Sequence, residues 1–250
     1  MIALRIDDIG ASTKVFNYYS KRRRYNFGIL RHHRFFGAWA PYPEMTPQLW
    51  AHTYEVLRKF QAKLTVAITA CWVEGNGNLI PFPEKFPQEA SILREGLDEG
   101  LLEIANHGLT HCVLENLSFK PKLWGSVRTY HREFWDWLDE GVHYRHLQQS
   151  QEILQDYFQT EITTLVPPGN VFAPQTIEAA KTLGFQRVNC QTQYRTEVDI
   201  QIIGNEHVID FHDRELVFFG ASWLEEKLAL VSKQESFGFI KDLQHKAPEF

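Results

Sequence analysis

Acidic and imidazole side chains follow three predicted strands of this 250-residue chain. Asp7 and Asp8 end the first predicted strand, His107 and His111 follow the third, and His212 ends a later one. Carboxylates and imidazoles are the groups that bind divalent ions and transfer protons near neutral pH. The C-terminal ends of parallel strands meet at one edge of an α/β sheet, so we expect these side chains to form a single site.

The spacing within each group suggests its chemistry. Side chains alternate along a strand, so one of Asp7 and Asp8 can bind a metal ion while the other faces a substrate. His107 and His111 are spaced i, i+4, which on a helical turn brings both imidazoles to one face for chelation. One carboxylate and two imidazoles leave coordination positions open, as catalytic metal sites do. Each pattern alone has an ordinary explanation as a helix cap, a solvated turn or a chance pair, but the combination favours catalysis.

Strand and helix patterns alternate along the chain, which predicts an α/β domain with mostly parallel strands. Helix signals include Pro47 behind Thr46, and the stops Gly100 and Gly184. The predicted strands are Ile2–Ile6, Leu64–Thr69, Leu102–Ala105, Thr163–Val166, Gln186–Asn189, Ile200–Ile203, Val208–Phe211 and Leu216–Phe219. The predicted helices are Thr46–Phe60, Gln88–Glu99, Tyr144–Phe158, Pro174–Leu183 and Trp223–Ser232.

Four segments, in order, resemble the motifs of the polysaccharide deacetylase family, the nodulation-protein-B homology domain of carbohydrate esterases. The family's TFDDG is similar to the segment Arg5-Ile6-Asp7-Asp8-Ile9-Gly10, and its H(S/T)xxH to His107-Gly108-Leu109-Thr110-His111. Its RxPY falls on Val166-Pro167-Pro168-Gly169, and its LxxH on Ile209-Asp210-Phe211-His212. Each motif is short, so the resemblance depends on all four occurring in the family's order.

The resemblance implies a distorted (β/α) barrel of about seven strands in one catalytic domain, residues 1–250. It assigns Asp8, His107 and His111 to a divalent metal ion. It makes Asp7 the general base and His212 the general acid, and it gives the backbone N–H of Gly169 to the oxyanion.

Two departures from the family pattern, both in the third motif, matter for the proposed chemistry. The arginine of the third motif, which in the family pairs with the catalytic base, is Val166 here, and the following aromatic residue is Gly169. Loss of that cation is expected to raise the pKa of Asp7 and to orient it less well, unless Arg5, Arg187 or Arg214 reaches it. For the family's fourth motif, an Asp and Trp cluster that orients the acid, the chain offers Asp199.

Composition excludes several classes of protein. Hydrophobic residues make up 44% and charged residues 23%, which excludes a disordered chain or a coiled coil. The three cysteines (Cys71, Cys112 and Cys190) form no CxxC pair, as expected in a reducing compartment. The sequence shows no signal peptide and no apolar run long enough to span a bilayer, so we expect a cytoplasmic protein without membrane insertion.

A basic, aromatic insertion at residues 10–45 follows the aspartates. The stretch between Asp8 and Glu44 carries +7 and nine aromatic residues, whereas the rest of the chain carries −12. Arginines bind phosphate or carboxylate and aromatic faces stack on sugar rings, so an anionic carbohydrate is one interpretation and a solvated loop is the other. The candidate substrate-binding residues are Arg22, Arg23, Arg24 and Trp39. A second aromatic stretch (Trp124, Tyr130, Trp135 and Trp137) is either a lid or an outer helix.

The sequence therefore predicts a metal-dependent hydrolase that removes an acyl group, most simply N-acetyl, from a sugar precursor of a surface polysaccharide. Zinc is the expected ion, although the ligand set also admits cobalt, manganese or iron. A catalytically inactive carbohydrate-binding module and a cyclic-amide hydrolase are the alternatives. Val166 is the best support for the first alternative, whereas the two histidines argue against the second. Nucleic acid is not an expected partner, because the rest of the surface is acidic. The sequence leaves the oligomeric state open.

Overall fold

The computed structural model of the protein describes residues 1–17, 19–20, 30, 38–39, 41–191, 200–232 and 235–243. Only part of the predicted insertion therefore belongs to the described structure. Arg22, Arg23, Arg24 and Asp199 lie outside the described residues, as does the side chain of Trp39.

Parallel strands form the centre of the fold. In chain order the strands are β1 Ile2–Ile9, β2 Tyr19–Ser20, β3 Ala38–Trp39, β4 Leu64–Ile68, β5 Cys71–Val73, β6 Leu79–Pro81, β7 Leu102–Asn106, β8 Thr164–Leu165, β9 Arg187–Asn189, β10 Gln201–Ile203, β11 Val208–His212 and β12 Phe237–Gly238. Seven of them form a curled sheet in the order β10-β9-β8-β7-β4-β1-β11, all parallel, and β12 also pairs with β1. The predicted distorted barrel with about seven strands is confirmed.

Two-residue alternation gives the two faces of this sheet different characters. On β1, Leu4 and Ile6 belong to the main apolar core together with Leu64, Val66 and Ile104 of the neighbouring strands. The alternate positions on the same strands carry small or polar side chains, which are also buried: Ala3, Arg5, Asp7, Thr65, Ala67, Glu103 and Ala105. The apolar face packs on helices, and the other face is the one that carries the polar residues of the site.

Helices connect the strands. In chain order they are α1 Thr13–Phe16, α2 Pro47–Lys59, α3 Phe82–Lys85, α4 Pro87–Asp98, α5 Glu140–Phe158, α6 Pro174–Thr182, α7 Asp213–Phe219 and α8 Ala221–Val231. The predicted start of α2 is confirmed, because Pro47 occupies the first turn and the Thr46 hydroxyl accepts the Leu49 N–H at 3.2 Å. No helix of the described residues is long and apolar enough to cross a membrane.

The prediction of a strand at Leu216–Phe219 is wrong, because these residues form the end of α7. Their aromatic and branched side chains favour a strand, but the helix start is fixed by capping. The Glu215 carboxylate accepts the backbone N–H of His212 at 2.9 Å, and Asp213 and Glu215 place negative charge in the first turn.

Candidate active site

The two aspartates lie near the C-terminal end of β1, where its pairing becomes irregular. The register of β1 on β4 shifts between Ile6 and Ile9, and Asp8 has a positive φ of 70°. Gly10 also has a positive φ, and a Cβ atom there would lie 2.6 Å from the Phe82 ring and 2.9 Å from the Thr69 carbonyl oxygen. The bulge directs the adjacent carboxylates to different partners: Asp7 contacts an arginine and Asp8 contacts two histidines.

Asp8, His107 and His111 converge in a buried cluster. The Oδ1 atom of Asp8 lies 3.4 Å from Nε2 of His107 and 3.0 Å from Nε2 of His111. One potential ligand atom from each residue lies within 4.8 Å of the other two. Nδ1–H of His107 donates to the Val166 carbonyl oxygen at 2.6 Å, a tautomer that leaves the Nε2 lone pair facing Asp8.

These three residues fit a divalent ion. Within the described part of the chain, neither ring nitrogen of the buried His111 makes a hydrogen bond of good geometry. Burial alone would raise the pKa of Asp8, but the charge of His212 and the contacts of the two histidines hold it well below its usual range. One carboxylate and two imidazoles form an acceptable and incomplete ligand set for zinc and related ions.

The expectation that His107 and His111 share a helical turn is wrong. Residues 107–112 form an irregular loop, in which Gly108 and His111 both have positive φ. The loop closes around the carboxylate of Glu133, which accepts the backbone N–H groups of Leu109, Thr110 and His111 at 3.0, 3.1 and 2.8 Å. The i, i+4 spacing thus brings the imidazoles together through loop geometry.

Glu133 is the residue of this site that sequence reasoning missed. It is buried, and its Oε1 atom lies 2.6 Å from Nδ1 of His146 on α5. Burial alone would raise its pKa, but His146 and the backbone N–H groups lower it. No local pattern marks Glu133, because it lies 22 residues from His111 in a segment without regular secondary structure.

Of the three arginines that could replace the missing cation beside Asp7, Arg5 occupies that position. Nε and Nη2 of Arg5 donate to Oδ1 and Oδ2 of Asp7, each at 2.8 Å. Arg5 is fully buried, donates to Oδ1 of Asn189, and has Asp210 at 3.6 Å. Strand alternation explains the pair, since residues i and i+2 of β1 share a face.

His212 ends β11 directly beside Asp7, with which it is paired in the strand register. Its side chain is about one-third exposed (35%), unlike the buried metal-site residues. Burial lowers its pKa, but the charges of Asp8, Asp7 and Glu215 raise it overall. An imidazole with a raised pKa and partial access is suited to donate a proton near neutral pH.

The site edge holds a buried ion cluster that changes the interpretation of the basic insertion. Nζ of Lys14 lies 2.7 Å from Oε1 of Glu44 and contacts Asp213, which also accepts from the Tyr42 hydroxyl at 2.8 Å. Burial alone would lower the pKa of Lys14, but the two carboxylates raise it. The +7 charge of the insertion includes Lys14, whose charge is neutralised internally and therefore does not support the anionic-carbohydrate interpretation.

A cleft of about 650 Å³ lies beside the histidine loop. Its wall includes Val113, whose N–H donates to the Tyr130 carbonyl oxygen at 2.8 Å, and Trp137, which is half exposed. The rest of the lining includes the polar residues Asn116 and Lys122 and the apolar residues Leu117 and Pro121. Of the two alternatives for this aromatic stretch, the outer helix is excluded: the segment that carries Tyr130 and Trp137 is irregular apart from one 3₁₀ turn at Arg128–His131.

The polysaccharide deacetylase family profile matches residues 40–188, which is more than half of the chain. The chain belongs to the polysaccharide deacetylase family. No curated protein sequence matches the chain. Within the family match lie both histidines and the Val166 segment, whereas Asp7, Asp8 and His212 lie outside it.

The solved structures that match the chain include a CE4 family pseudoenzyme and an acetyl xylan esterase. A mutant of the pseudoenzyme, with restored enzymatic activity, has a TM-score of 0.51 at 12% identity over 97% of this chain and 66% of its own. The wild-type pseudoenzyme, from Bacillus anthracis, has a TM-score of 0.47 at 12% identity over 78% of this chain and 60% of its own. The family 4 acetyl xylan esterase from Clostridium thermocellum, in complex with a cobalt ion, has a TM-score of 0.48 at 14% identity, covering 80% and 85% of the two chains. The chain thus spans less than two thirds of the pseudoenzyme's length.

Three features distinguish this deacetylase-family site from the motif pattern. Arg5 on β1 pairs with Asp7, where the pattern takes an arginine from the third motif. Gly108 stands where the second motif carries Ser or Thr, and a Cβ atom there would lie 2.2 Å from Oε2 of Glu133. Gly169, where the third motif has an aromatic residue, has a positive φ of 61° in the turn Pro168–Asn170, and a Cβ atom there would lie 2.8 Å from Cγ of Arg132.

Proposed function

We propose that this family member is a metal-dependent hydrolase that removes the N-acetyl group from a sugar, with zinc held by Asp8, His107 and His111. The observation that carries the proposal is the convergence of these ligands with the Arg5–Asp7 pair and His212 at one end of the sheet. A cytoplasmic precursor of a surface polysaccharide is the proposed substrate.

The proposed mechanism divides two proton transfers between Asp7 and His212. A bound divalent ion would lower the pKa of a water molecule and polarise the acyl oxygen. Asp7, oriented by Arg5, accepts a proton from the attacking water. His212 donates a proton to the amine nitrogen, which is a poor leaving group until it is protonated. The backbone N–H of Gly169 donates to the oxyanion.

The cleft beside the histidine loop is the proposed binding site for sugar units next to the one that reacts. Its aromatic wall offers a stacking face and its polar residues offer hydrogen bonds, the two features that recognise a sugar ring. Trp137→Ala should therefore raise KM for an acetylated oligosaccharide and leave KM for the monosaccharide unchanged. Trp124→Ala is the matched control, because Trp124 is exposed but does not line the cleft. Equal effects of the two substitutions would exclude the cleft as a subsite.

An anionic substrate remains a separate proposal. Replacing Arg22, Arg23 and Arg24 with Gln should raise KM for a phosphorylated or nucleotide-linked sugar but not for the neutral sugar, and Trp39→Ala tests a stacking role in the same assay. Equal effects on charged and neutral sugars would contradict it.

An inactive carbohydrate-binding module is the second candidate function. The support for it is that Val166 stands where the family pattern has an arginine. The Arg5–Asp7 pair weakens this support, because Arg5 supplies the cation in its place. The discriminating experiment measures acetate release from a panel of N-acetylated saccharides by protein loaded with zinc, cobalt or manganese. Release of acetate supports the hydrolase, whereas saccharide binding without release supports the binding module. Opening of a cyclic amide in place of acetate release would favour the remaining alternative.

A further inference from the structure

One buried carboxylate organises the loop that carries the two histidines. Glu133 is almost fully buried (1% exposed), and its two oxygens accept three successive backbone N–H groups, those of Leu109, Thr110 and His111. His146, on α5, contacts the Oε1 atom at 2.6 Å. The carboxylate therefore joins the loop to a helix of the scaffold through four hydrogen-bonding partners.

The conformation of the loop depends on these contacts. His111 has a φ of 59°, which a residue with a Cβ atom rarely adopts without support. Its own N–H donates to Oε2 of Glu133 at 2.8 Å, and in this conformation its Nε2 atom reaches 3.0 Å from Asp8. The hydrogen bond to the backbone thus determines where the imidazole lies.

Gly108 and Glu133 fit together as a pair. Gly108 has a φ of 79°, and a Cβ atom at this position would lie 2.2 Å from Oε2 of Glu133 and 3.0 Å from Pro168. The hydroxyl residue of the H(S/T)xxH pattern would therefore overlap the carboxylate. The Glu133 carboxylate thus occupies the space that a side chain at position 108 would need.

We propose that Glu133 is a positioning residue for the metal ligands and that Gly108, which has no side chain, leaves space for the Glu133 carboxylate. The inference rests on the proposed metal site and adds to it a support that the family pattern does not contain. Groups that orient metal ligands typically change metal affinity by roughly 10–100-fold when they are removed.

The test compares two isosteric changes of buried glutamates. In Glu133→Gln an amide N–H₂ group replaces one acceptor oxygen and faces a backbone donor. Zinc affinity, measured by chelator competition, should therefore fall by roughly 10–100-fold. The visible spectrum of the cobalt-loaded protein should also change. Glu103→Gln is the control. Glu103 is buried on β7, four residues before His107, and accepts the hydroxyls of Thr65 and Thr164. Its substitution should leave both readouts unchanged, and equal affinity in the two variants would overturn the proposal.

A double-mutant cycle tests the pairing independently. Gly108→Ala should weaken zinc binding more when Glu133 is present than in the Glu133→Ala background, because only the overlap with the carboxylate is removed there. The cost of the positive φ and of the contact with Pro168 is common to both backgrounds and cancels in the cycle. Additive effects of the two substitutions on zinc affinity would contradict a steric overlap between a side chain at position 108 and the Glu133 carboxylate.

Amide hydrogen exchange separates this inference from the proposed function and covers variants that fold poorly. The amides of Leu109, Thr110 and His111 should exchange slowly in the metal-free wild type and rapidly in Glu133→Gln. Slow exchange in a wild type that binds no zinc would refute the metal site but not the role of Glu133. Unchanged exchange in the variant would refute the role of Glu133 itself.

Discussion

Removal of the Arg5 guanidinium should destabilise the protein far more than removal of a surface arginine. Arg5 is completely buried and gives two hydrogen bonds of 2.8 Å to Asp7, which is itself 4% exposed. Arg5→Met would leave that carboxylate buried without its cation. Breaking a buried ion pair in this way costs about 3–5 kcal/mol of unfolding free energy.

The partners of the pair allow a sharper form of this prediction. Asp7→Leu should cost less than Arg5→Met, because Arg5 keeps Asn189 and has Asp210 at 3.6 Å. The double variant should recover part of the loss, since neither charge remains unpaired. Arg58→Met is the control: Arg58 pairs with Glu99 at the surface, both side chains being 49% exposed, and exposed pairs contribute about 0–1 kcal/mol.

The measurement is urea unfolding of the four variants at pH 7, analysed with a common m-value. The reasoning is refuted if Arg5→Met loses no more free energy than Arg58→Met, or if Asp7→Leu is the more damaging change. In the same preparations Arg5→Met should lower kcat for acetate release more than it raises KM, because Arg5 orients the base and does not contact the substrate.

Three further substitutions test separate parts of the account. Asp7→Asn should retain bound metal and lower acetate release by roughly 10²–10⁴-fold, and full activity would exclude it as the base. His212→Ala should lose less activity with substrates that have better leaving groups, and an equal loss with all substrates would contradict its role as the acid. Burial lowers the pKa of His131 to about 4. The unfolded chain protonates His131 near pH 6.5, whereas the folded chain protonates it only near pH 4. His131 should therefore lower the free energy of unfolding by up to about 3 kcal/mol as the pH falls from 6.5 to 4. His131→Gln should flatten the pH dependence of unfolding between pH 6.5 and 4, and a curve parallel to that of the wild type would contradict this.

Local patterns account for the parts of the fold that the sequence predicts well. The alternation on β1 and the cap at Thr46 depend on neighbouring residues, so both can be read without tertiary contacts. Leu216–Phe219 form a helix although their apolar composition favours a strand, because the Glu215 carboxylate caps the start of the same helix.

The site was predictable to the extent that its residues lie at strand ends. Asp7, Asp8 and His212 follow the strands that position them, and their proximity follows from parallel pairing. The partners that orient the site were not predictable from the motif pattern. Glu133 reaches the histidine loop from 22 residues away, and its position depends on the packing of an irregular segment. The sequence offers three arginines as the cation beside Asp7. Only the structure shows that the Arg5 guanidinium donates to both carboxylate oxygens of Asp7.

The most direct test of the central claim is a metal titration followed by acetate release. Metal-free protein is mixed with increasing zinc, and the initial rate with an N-acetylated oligosaccharide is measured together with bound metal. We expect the rate to rise in proportion to bound zinc and to reach a plateau at one equivalent, while His107→Ala and His111→Ala bind little zinc and stay inactive. Full zinc occupancy in both variants, or acetate release by the wild type that is independent of metal, would contradict the site formed by Asp8, His107 and His111.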